Sequence, residues 1–239
     1  MVNRLTEWLK CKVQEAGARG VVFGLSGGID SAVVGALARR AFGNNLLGII
    51  MPCESSVQDI LDAKLVADEL SIPCIMVELD DAYHLLVGQY EAFFKVENES
   101  RARQVKGNIK PRLRMITLYY FAQALGYLVA GTSNRDELEV GYFTKYGDGG
   151  ADILPIGALV KSQVRKLAEF LGVPEPIIKK APSAGLYENQ TDEGEMGITY
   201  EELDRYLLTG EGREEVVLKI KEMQRLSEHK RRLPPIPDI

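Results

Sequence analysis

The chain has 239 residues and is 46% hydrophobic, which is enough for one substantial core and fits one domain better than two. Lys and Arg number 29 against 34 Asp and Glu, so the net charge of −5 gives no bulk signal for nucleic acid or an anionic membrane. No apolar run is long enough to cross a bilayer, and the amphipathic N-terminus lacks the apolar segment of a signal peptide. Three scattered cysteines without a C-x-x-C pair argue against a disulfide framework or structural zinc. We therefore expect a cytoplasmic protein.

Apolar runs alternate with helical patterns along most of the chain. We predict five strands, at Val21–Leu25, Leu46–Met51, Cys74–Val77, Tyr127–Ala130 and Ile153–Pro155. The predicted helices are Met1–Lys12, Asp30–Phe42, Val57–Leu70, Asp81–Phe93, Pro111–Leu125, Lys161–Leu171 and two more near the C-terminus. The charged, aperiodic stretch Lys95–Lys110 is interpreted as a loop or a mobile helix end. This alternation predicts an α/β fold, with a doubly wound, mostly parallel five-stranded sheet and helices on both faces.

A glycine turn joins the first predicted strand to the helix after it. The turn reads Ser26-Gly27-Gly28-Ile29-Asp30-Ser31, and the free N–H groups of a helix N-terminus make such a turn a ready anion site. It lacks the G-K-[ST] of a Walker A loop and the G-x-G-x-x-G of a dinucleotide fold. Without a lysine that grips terminal phosphates, the loop suits a pyrophosphate leaving group and chemistry at the α phosphorus of ATP. Asp30 would be repelled by phosphates unless a cation lay between them, which implies Mg²⁺.

The loop and its surroundings resemble the N-type ATP pyrophosphatase superfamily, whose members adenylate a carboxyl or carbonyl oxygen. Further stretches narrow the resemblance to ammonia-dependent NAD synthetases: Gly107–Arg114, Gly131–Glu137, Gly141–Asp152, Ala181–Leu186 and Gln190–Glu193. The G-Y-F-T-K-Y-G-D-G-G-A-D run is the most specific of these. The resemblance extends from about residue 20 to Arg231 and implies an adenine nucleotide alpha-hydrolase-like fold. It also implies ATP-dependent amidation of deamido-NAD to NAD by ammonia, the final step of NAD biosynthesis, through an adenylated intermediate with release of AMP and pyrophosphate.

The resemblance implies which residues bind ATP and metal. The expected ATP-binding residues are Gly24, Leu25, Ser26, Gly27, Gly28, Ile29, Asp30, Ser31, Thr132, Lys161 and Ser183. Asp30 and Glu137 are the expected Mg²⁺ ligands, although Glu137 alone could equally be a solvated helix charge and Thr132 a helix N-cap. Lys161 opens a helix, where the helix dipole disfavours a cation, and a ligand phosphate would explain that placement.

The second substrate is assigned by resemblance too. The positions that match the family's deamido-NAD contacts are Arg112, Lys145, Asp152, His229 and Lys230. Asp148 matches a position linked to ammonia capture or deprotonation, so Asp148 and Lys161 are the catalytic candidates. On residues alone, the H-K-R-R run at the C-terminus would more often be a solvated basic helix end. The chain departs from the family at Gly185, where an aspartate is usual, and this departure points to weaker ATP binding or a differently ordered loop.

The implied assembly is a homodimer without a glutaminase domain, because the chain has no room for an amidotransferase domain. We expect free ammonia, or ammonia from a separate glutaminase subunit, as the nitrogen source. The helix Pro111–Leu125 is apolar on more than one face, which fits either a dimer interface or a buried core helix. The polar stretches Asn98–Lys110 and Ser183–Gly197 are expected to close over the substrates.

Three other functions remain open at the level of sequence. One is a related amidotransferase subunit of the GMP synthetase type, and another is an ATP-binding regulatory module. A sensor needs no catalytic metal pair, so Asp30 and Glu137 argue against the module. The third is a hydrolase with a Ser26 or Ser31 nucleophile, since G-L-S-G-G loosely resembles G-x-S-x-G. The chain has only two histidines, His84 and His229, and neither suits the geometry of a triad.

Overall fold

A parallel sheet forms the centre of the computed structural model, which describes residues 1–183, 185, 187 and 191–237. Its strands are, in chain order, β1 Val21–Gly24, β2 Leu46–Ile50, β3 Cys74–Met76 and β4 Leu128–Val129. In the sheet they lie side by side in the order β3-β2-β1-β4. Val21 of β1 lies opposite both Leu46 of β2 and Leu128 of β4, so β1 is one of the two inner strands of the sheet. The α/β class and the parallel sheet are confirmed.

The fifth predicted strand is wrong as a strand in the described part of the chain, where the sheet has four. Ile153 forms only an isolated parallel bridge with Ala130. Pro155 follows two residues later, and a proline has no backbone N–H to continue a ladder. The chain instead turns, with Gly157 N donating to Leu154 O at 3.1 Å.

Helices surround the sheet along the whole chain. In the described residues they are α1 Val2–Glu15, α2 Ile29–Phe42, α3 Val57–Glu69, α4 Asp80–Phe93, α5 Glu99–Gly107, α6 Ile109–Leu125, α7 Arg135–Val140, α8 Lys161–Leu171, α9 Glu175–Lys179, α10 Asp192–Met196, α11 Tyr200–Thr209 and α12 Glu214–Arg231. The interpretation of Lys95–Lys110 as a loop or a mobile helix end is wrong, because the separate helix α5 occupies most of this stretch. Asn98 caps α5 by accepting from Arg101 N at 2.9 Å, a local signal that charge and missing periodicity concealed.

The two faces of the sheet carry separate apolar clusters. Phe23 of β1 packs with Leu9 of α1 and Leu37 of α2 on one face. The neighbouring Val22 packs with Ala122 of α6 on the other, as the alternation of side chains along a strand requires. Helices therefore cover both faces, as predicted. None of the helices in the described ranges has the length and apolar character needed to cross a membrane.

A third cluster joins the C-terminal helices to α7. Val140 of α7, Met196 of α10, Leu203 of α11 and Ile220 of α12 are buried together. Beyond the two C-terminal helices predicted, this part of the chain contains the short α9 and α10. This cluster fixes α11 beside the start of α8, which matters for the site described next.

Candidate active site

A cavity of about 670 Å³ opens at the carboxyl ends of the parallel strands. Leu25, Met51 and Ala130, which follow β1, β2 and β4, contribute to its wall. Open parallel sheets bind ligands at this edge because several loops and helix N-termini converge there. The volume lies in the range of small-molecule sites. The cavity is therefore the place to look for the chemistry predicted from the sequence.

The glycine turn after β1 forms one end of the cavity and is fixed internally. Ser31 Oγ donates to Gly28 O at 2.9 Å and Gly28 N donates to Ser26 Oγ at 3.2 Å. Gly27 has φ +77°, and a Cβ there would lie 2.8 Å from backbone atoms of α3, so the position requires glycine. Gly27 is thus turned against α3. The other seven predicted positions from Gly24 to Ser31 line the cavity.

Two carboxylates from distant parts of the chain meet beside this turn. Asn134, fully buried, caps α7 and donates from Nδ2 to Asp30 Oδ1 at 3.0 Å and to Glu137 Oε1 at 2.9 Å. Lys161 Nζ donates to the other oxygen of Asp30 at 2.5 Å. Burial, with the nearby charge of Asp30, raises the pKa of Glu137 well above its usual value. Glu137 is therefore not a solvated helix charge.

The donor chemistry of this pair fits Mg²⁺. Asp30 and Glu137 offer hard carboxylate oxygens, and a divalent cation between them would relieve the repulsion that raises the pKa of Glu137. Within the described ranges, no group of three or more His, Cys, Asp or Glu side chains is arranged to hold a metal. Mg²⁺ commonly uses one or two carboxylates and takes its other ligands from phosphate and water. Asp30 and Glu137 could hold such an ion.

Lys161 is held at its backbone as well as at its ammonium. Its side chain is 2% exposed, and its backbone N–H donates to Asp136 Oδ2 at 2.7 Å and to Asp204 Oδ1 at 3.2 Å. The next N–H, of Ser162, donates to Asp204 Oδ2 at 2.8 Å. The two side chains satisfy the first N–H groups of α8, and the Asp204 carboxylate offsets the helix dipole that disfavours a cation at the start of this helix. Sequence reasoning missed Asp136 and Asp204, because nothing local connects them with Lys161.

The Asp136 carboxyl makes stability depend on pH. Burial, and the neighbouring Asp204, raise the pKa of Asp136 to about 8. A folded-state pKa above the unfolded value means that the folded protein binds the extra proton, so stability falls as pH rises toward 8. Asp136→Asn imitates the protonated form. We expect its unfolding free energy, relative to the wild type, to grow by roughly 1.4 kcal/mol per pH unit between pH 5 and 7 in urea titrations.

An exposed aspartate provides the control for this measurement. Asp68→Asn, on the outer surface of α3, removes one carboxylate without touching the Asp136–Asp204 pair. A constant difference between Asp136→Asn and the wild type over this pH range would contradict the shifted pKa.

Three of the predicted deamido-NAD residues, Arg112, Lys145 and His229, are joined by hydrogen bonds outside the cavity wall. Arg112 Nη2 donates to Lys145 O at 3.4 Å, and Lys145 Nζ donates to His229 O at 2.7 Å. Lys230 is the member that lines the cavity, and its Nζ donates to two carbonyl oxygens of the loop after α7. Asp152 instead accepts from Val129 N at 2.7 Å and so holds β4 in this structure.

The three remaining predicted residues all line the cavity. Asp148 is exposed to it and accepts from Thr144 N at 2.9 Å, while enclosure by the surrounding protein raises its pKa. Thr132 lies three residues after the end of β4. Ser183 Oγ accepts from Gly185 N at 3.2 Å, and Gly185 has φ +61°.

Comparison with known proteins tests the family. A family model described as NAD synthase matches residues 1–234. The chain belongs to the NAD synthase family.

Named relatives of this family cover nearly the whole chain. NH(3)-dependent NAD(+) synthetase of Carboxydothermus hydrogenoformans is 56% identical over 235 residues, 98% of this chain and 96% of the relative. The enzyme of that name from Syntrophomonas wolfei is 53% identical over 236 residues, 99% of this chain and 94% of its own. The resemblance stated from the motifs is confirmed.

Solved structures confirm the fold. NMN synthetase from Francisella tularensis has a TM-score of 0.93 at 40% identity, covering 100% of this chain and 97% of that one. NH3-dependent NAD synthetase from Campylobacter jejuni, in complex with nitrate, has a TM-score of 0.79 at 31% identity, with coverage of 99% and 97%. A glutamine-dependent NAD+ synthetase from Acinetobacter baumannii matches 98% of this chain at 26% identity with a TM-score of 0.71, and only 46% of its own length is covered.

The two stretches expected to close over the substrates touch each other in this NAD synthase family member. The Arg103 guanidinium of α5 lies 5.5 Å from the ring centre of Tyr187, and Tyr187 Oη donates to Glu195. All three side chains line the cavity. Residues 184, 186 and 188–190 of the second stretch lie outside the described residues. Closure over substrates stays a prediction.

A further cation near the phosphate loop was not predicted from the sequence. Lys180 lines the cavity, and its Nζ donates to Asp59 Oδ1 at 2.8 Å and to Asp62 Oδ2 at 2.5 Å. Both aspartates belong to the turn of α3 against which Gly27 rests. Lys180 therefore compensates two carboxylates that would otherwise repel an anion in the loop.

Removing this cation should weaken ATP binding. In Lys180→Met, Asp59 and Asp62 lose their counter-ion beside the phosphate loop, and we expect KM for ATP to rise about tenfold in steady-state assays. Lys179→Met is the matched control, since the neighbouring Lys179 is 73% exposed and pairs with Glu175. Equal effects of the two substitutions would show that Lys180 has no electrostatic role at the site.

Proposed function

We propose that the chain is a C–N ligase that amidates deamido-NAD to NAD with ammonia and ATP. The observation that carries this proposal is the meeting, in one cavity, of a phosphate loop without a Walker lysine, the pair Asp30 and Glu137, and Lys161. That combination suits departure of pyrophosphate from the α phosphorus of ATP. Membership of the NAD synthase family and the names of its relatives supply the acceptor.

The first step joins the two substrates. A nicotinate carboxylate oxygen attacks the α phosphorus, the bond from that phosphorus to the bridging oxygen breaks, and pyrophosphate leaves. The turn from Ser26 to Ser31 would receive the pyrophosphate, and Lys161 would offset the charge that grows on it. Bound at Asp30 and Glu137, Mg²⁺ would supply further neutralisation of that charge. Thr132 and Ser183, which line the same cavity, would contact other parts of ATP.

The second step forms the amide. Ammonia attacks the activated carbonyl carbon, AMP leaves with its oxygen, and one proton is lost from nitrogen. Asp148 is the proposed acceptor or guide for the ammonium proton, because its carboxylate faces the cavity and its pKa is raised. Water must stay out during this step, since the adenylate would hydrolyse.

The dinucleotide is proposed to extend from the cavity toward the cluster of Arg112, Lys145 and His229. Arg112 and Lys145 suit phosphate or ribose oxygens, and Lys230 connects this cluster with the cavity. Asp152 accepts a hydrogen bond from Val129 of β4, so it would contact the ligand through the exposed part of its side chain.

We propose a homodimer of single-domain subunits in the cytoplasm, with free ammonia or a separate glutaminase as nitrogen source. Ile116 and Tyr120 of α6 are 59% and 68% exposed, and Phe93 at the end of α4 is 93% exposed. Such apolar surface is typical of protein interfaces. The free thiols Cys11, Cys53 and Cys74 fit a reducing compartment. A monomer in sedimentation at micromolar concentration, or turnover with glutamine alone, would contradict this assembly.

The deciding experiment is mass-spectrometric detection of products from ATP, Mg²⁺, ammonium and one acceptor at a time. We expect NAD and AMP from deamido-NAD. The Francisella neighbour favours one second candidate, since it is an NMN synthetase, so nicotinate mononucleotide is the second acceptor. Xanthosine monophosphate tests the GMP synthetase-like alternative. Absence of AMP with every acceptor would overturn the proposal in favour of an ATP-binding module.

A further inference from the structure

Helix α11 presents two side chains to Lys161. Tyr200 and Asp204 are four residues apart, so they lie on one face of the helix, one turn above the other. The Tyr200 ring centre is 4.9 Å from Lys161 Nζ. The Asp204 carboxylate accepts from the backbone N–H of Lys161 at 3.2 Å and of Ser162 at 2.8 Å. One helix face thus contacts both ends of Lys161.

These contacts are built into a rigid surface. Tyr200 is 2% exposed and Asp204 7% exposed, and Leu203 between them is fully buried in the C-terminal cluster. The Tyr200 hydroxyl donates to Asp192 at 2.9 Å, which fixes the ring. Both side chains are therefore oriented by packing and hydrogen bonds before any ligand binds.

The contacts with α11 matter most when the metal site is in use. The hydrogen-bond partner of the ammonium in this structure is Asp30, which is also a proposed Mg²⁺ ligand. A cation at Asp30 competes with Lys161 for the same carboxylate. The ring of Tyr200 and the carboxylate of Asp204 do not belong to that metal pair. These contacts would therefore remain available to Lys161 if a cation bound Asp30.

We propose that Tyr200 and Asp204 are positioning residues, through which α11 keeps the Lys161 ammonium aimed at the phosphates of ATP. The inference rests on the proposed function in one respect, namely that Lys161 acts on ATP. Asp204 fixes where α8 begins and so where the Lys161 side chain starts. Tyr200 provides an apolar, electron-rich surface that keeps the ammonium within the cavity.

The test measures ATP affinity by titration calorimetry with Mg²⁺, without acceptor or ammonia, and then the separate KM values for ATP and deamido-NAD. We expect Asp204→Asn and Tyr200→Leu each to weaken ATP binding about tenfold, and to raise KM for ATP by a similar factor. KM for deamido-NAD should stay within about twofold, a factor worth ~0.4 kcal/mol. Tyr200→Phe keeps the ring and should recover the affinity that Tyr200→Leu loses.

Glu202→Gln is the matched control on the same helix. Glu202 completes the capping box of α11 and pairs with Arg213. Its substitution should therefore destabilise α11 while the contacts of Tyr200 and Asp204 with Lys161 are kept. If Glu202→Gln weakens ATP binding as much as the two test variants at equal loss of thermal stability, the effect is structural and the inference is wrong. If Asp204→Asn does not fold, the Tyr200→Leu and Tyr200→Phe pair decides, because unequal ATP affinities support the role of the ring and equal ones overturn it.

The wild-type protein separates this inference from the proposed function. Wild type that neither binds ATP nor makes NAD would overturn the proposed function. Wild type that does both, with Asp204→Asn and Tyr200→Leu unchanged in ATP affinity, would overturn only the positioning role of α11.

Discussion

Asp30→Asn is expected to lower kcat/KM for ATP by about 100- to 1,000-fold, the usual cost of removing a preorganised charge that stabilises a transition state. The substitution keeps the size of the side chain but removes the negative charge. It therefore removes one of two proposed metal ligands and the ion partner of Lys161 together. The loss should appear in NAD formation measured under saturating Mg²⁺ and ammonium.

A second measurement on this variant isolates the metal. Mg²⁺ should raise the melting temperature of the wild type in the presence of ATP and raise that of Asp30→Asn less, because binding to the folded state alone stabilises it. Asp81→Asn is the control, since Asp81 is also an aspartate in the first turn of a helix but is exposed on α4. Full activity of Asp30→Asn would remove the basis for a metal at this position.

Lys161→Met should cost a similar factor, about 100-fold or more in kcat, because the charge that develops on pyrophosphate would lose its fixed cation. Methionine approximates the length and apolar stem of lysine, so the packing on the ring of Tyr200 is largely kept. Removing only one partner of a buried ion pair also leaves Asp30 uncompensated, which destabilises the ligand-free protein. Single-turnover formation of the adenylate, followed by rapid quench, measures the chemical step directly.

Lys166→Met provides the control for this variant. Lys166 lies on the same helix, α8, and is exposed. An equal loss in Lys166→Met, or a rate of adenylate formation in Lys161→Met close to that of the wild type, would contradict a role for Lys161 in the first step.

The parts of the site that the sequence predicted are those encoded locally. The turn from Ser26 to Ser31 lies between a strand and a helix whose patterns are strong, so its anion-binding geometry could be derived from neighbouring residues. Asp30 implied a cation because its negative charge would otherwise repel the phosphates in the loop. Glu137 lies 107 positions after Asp30 in the chain. Its role as the second metal ligand was predicted only from the family resemblance, because no local pattern shows that β1 and β4 are neighbours.

The parts that could not be predicted depend on tertiary contacts. Asp204 and Asp136 reach the start of α8 from other helices, and a buried carboxylate has the same sequence appearance as a solvated one. Nothing in the sequence distinguished Lys180 from its exposed neighbour Lys179, and only the structure shows its ammonium paired with Asp59 and Asp62 of α3. The two errors of secondary structure have a local origin instead, since one cap at Asn98 begins α5 and one proline at Pro155 ends the pairing of Ile153.

Asn134 has a consequence for the way this site meets a cation. Its side-chain amide has two N–H groups, and one bonds Asp30 while the other bonds Glu137. The separation of the two carboxylates is thus set by the width of one amide group, at the moment of folding. A cation bound at Asp30 and Glu137 would therefore meet two carboxylates already held by Asn134, and we expect the nucleotide-free protein to bind cations according to their radius.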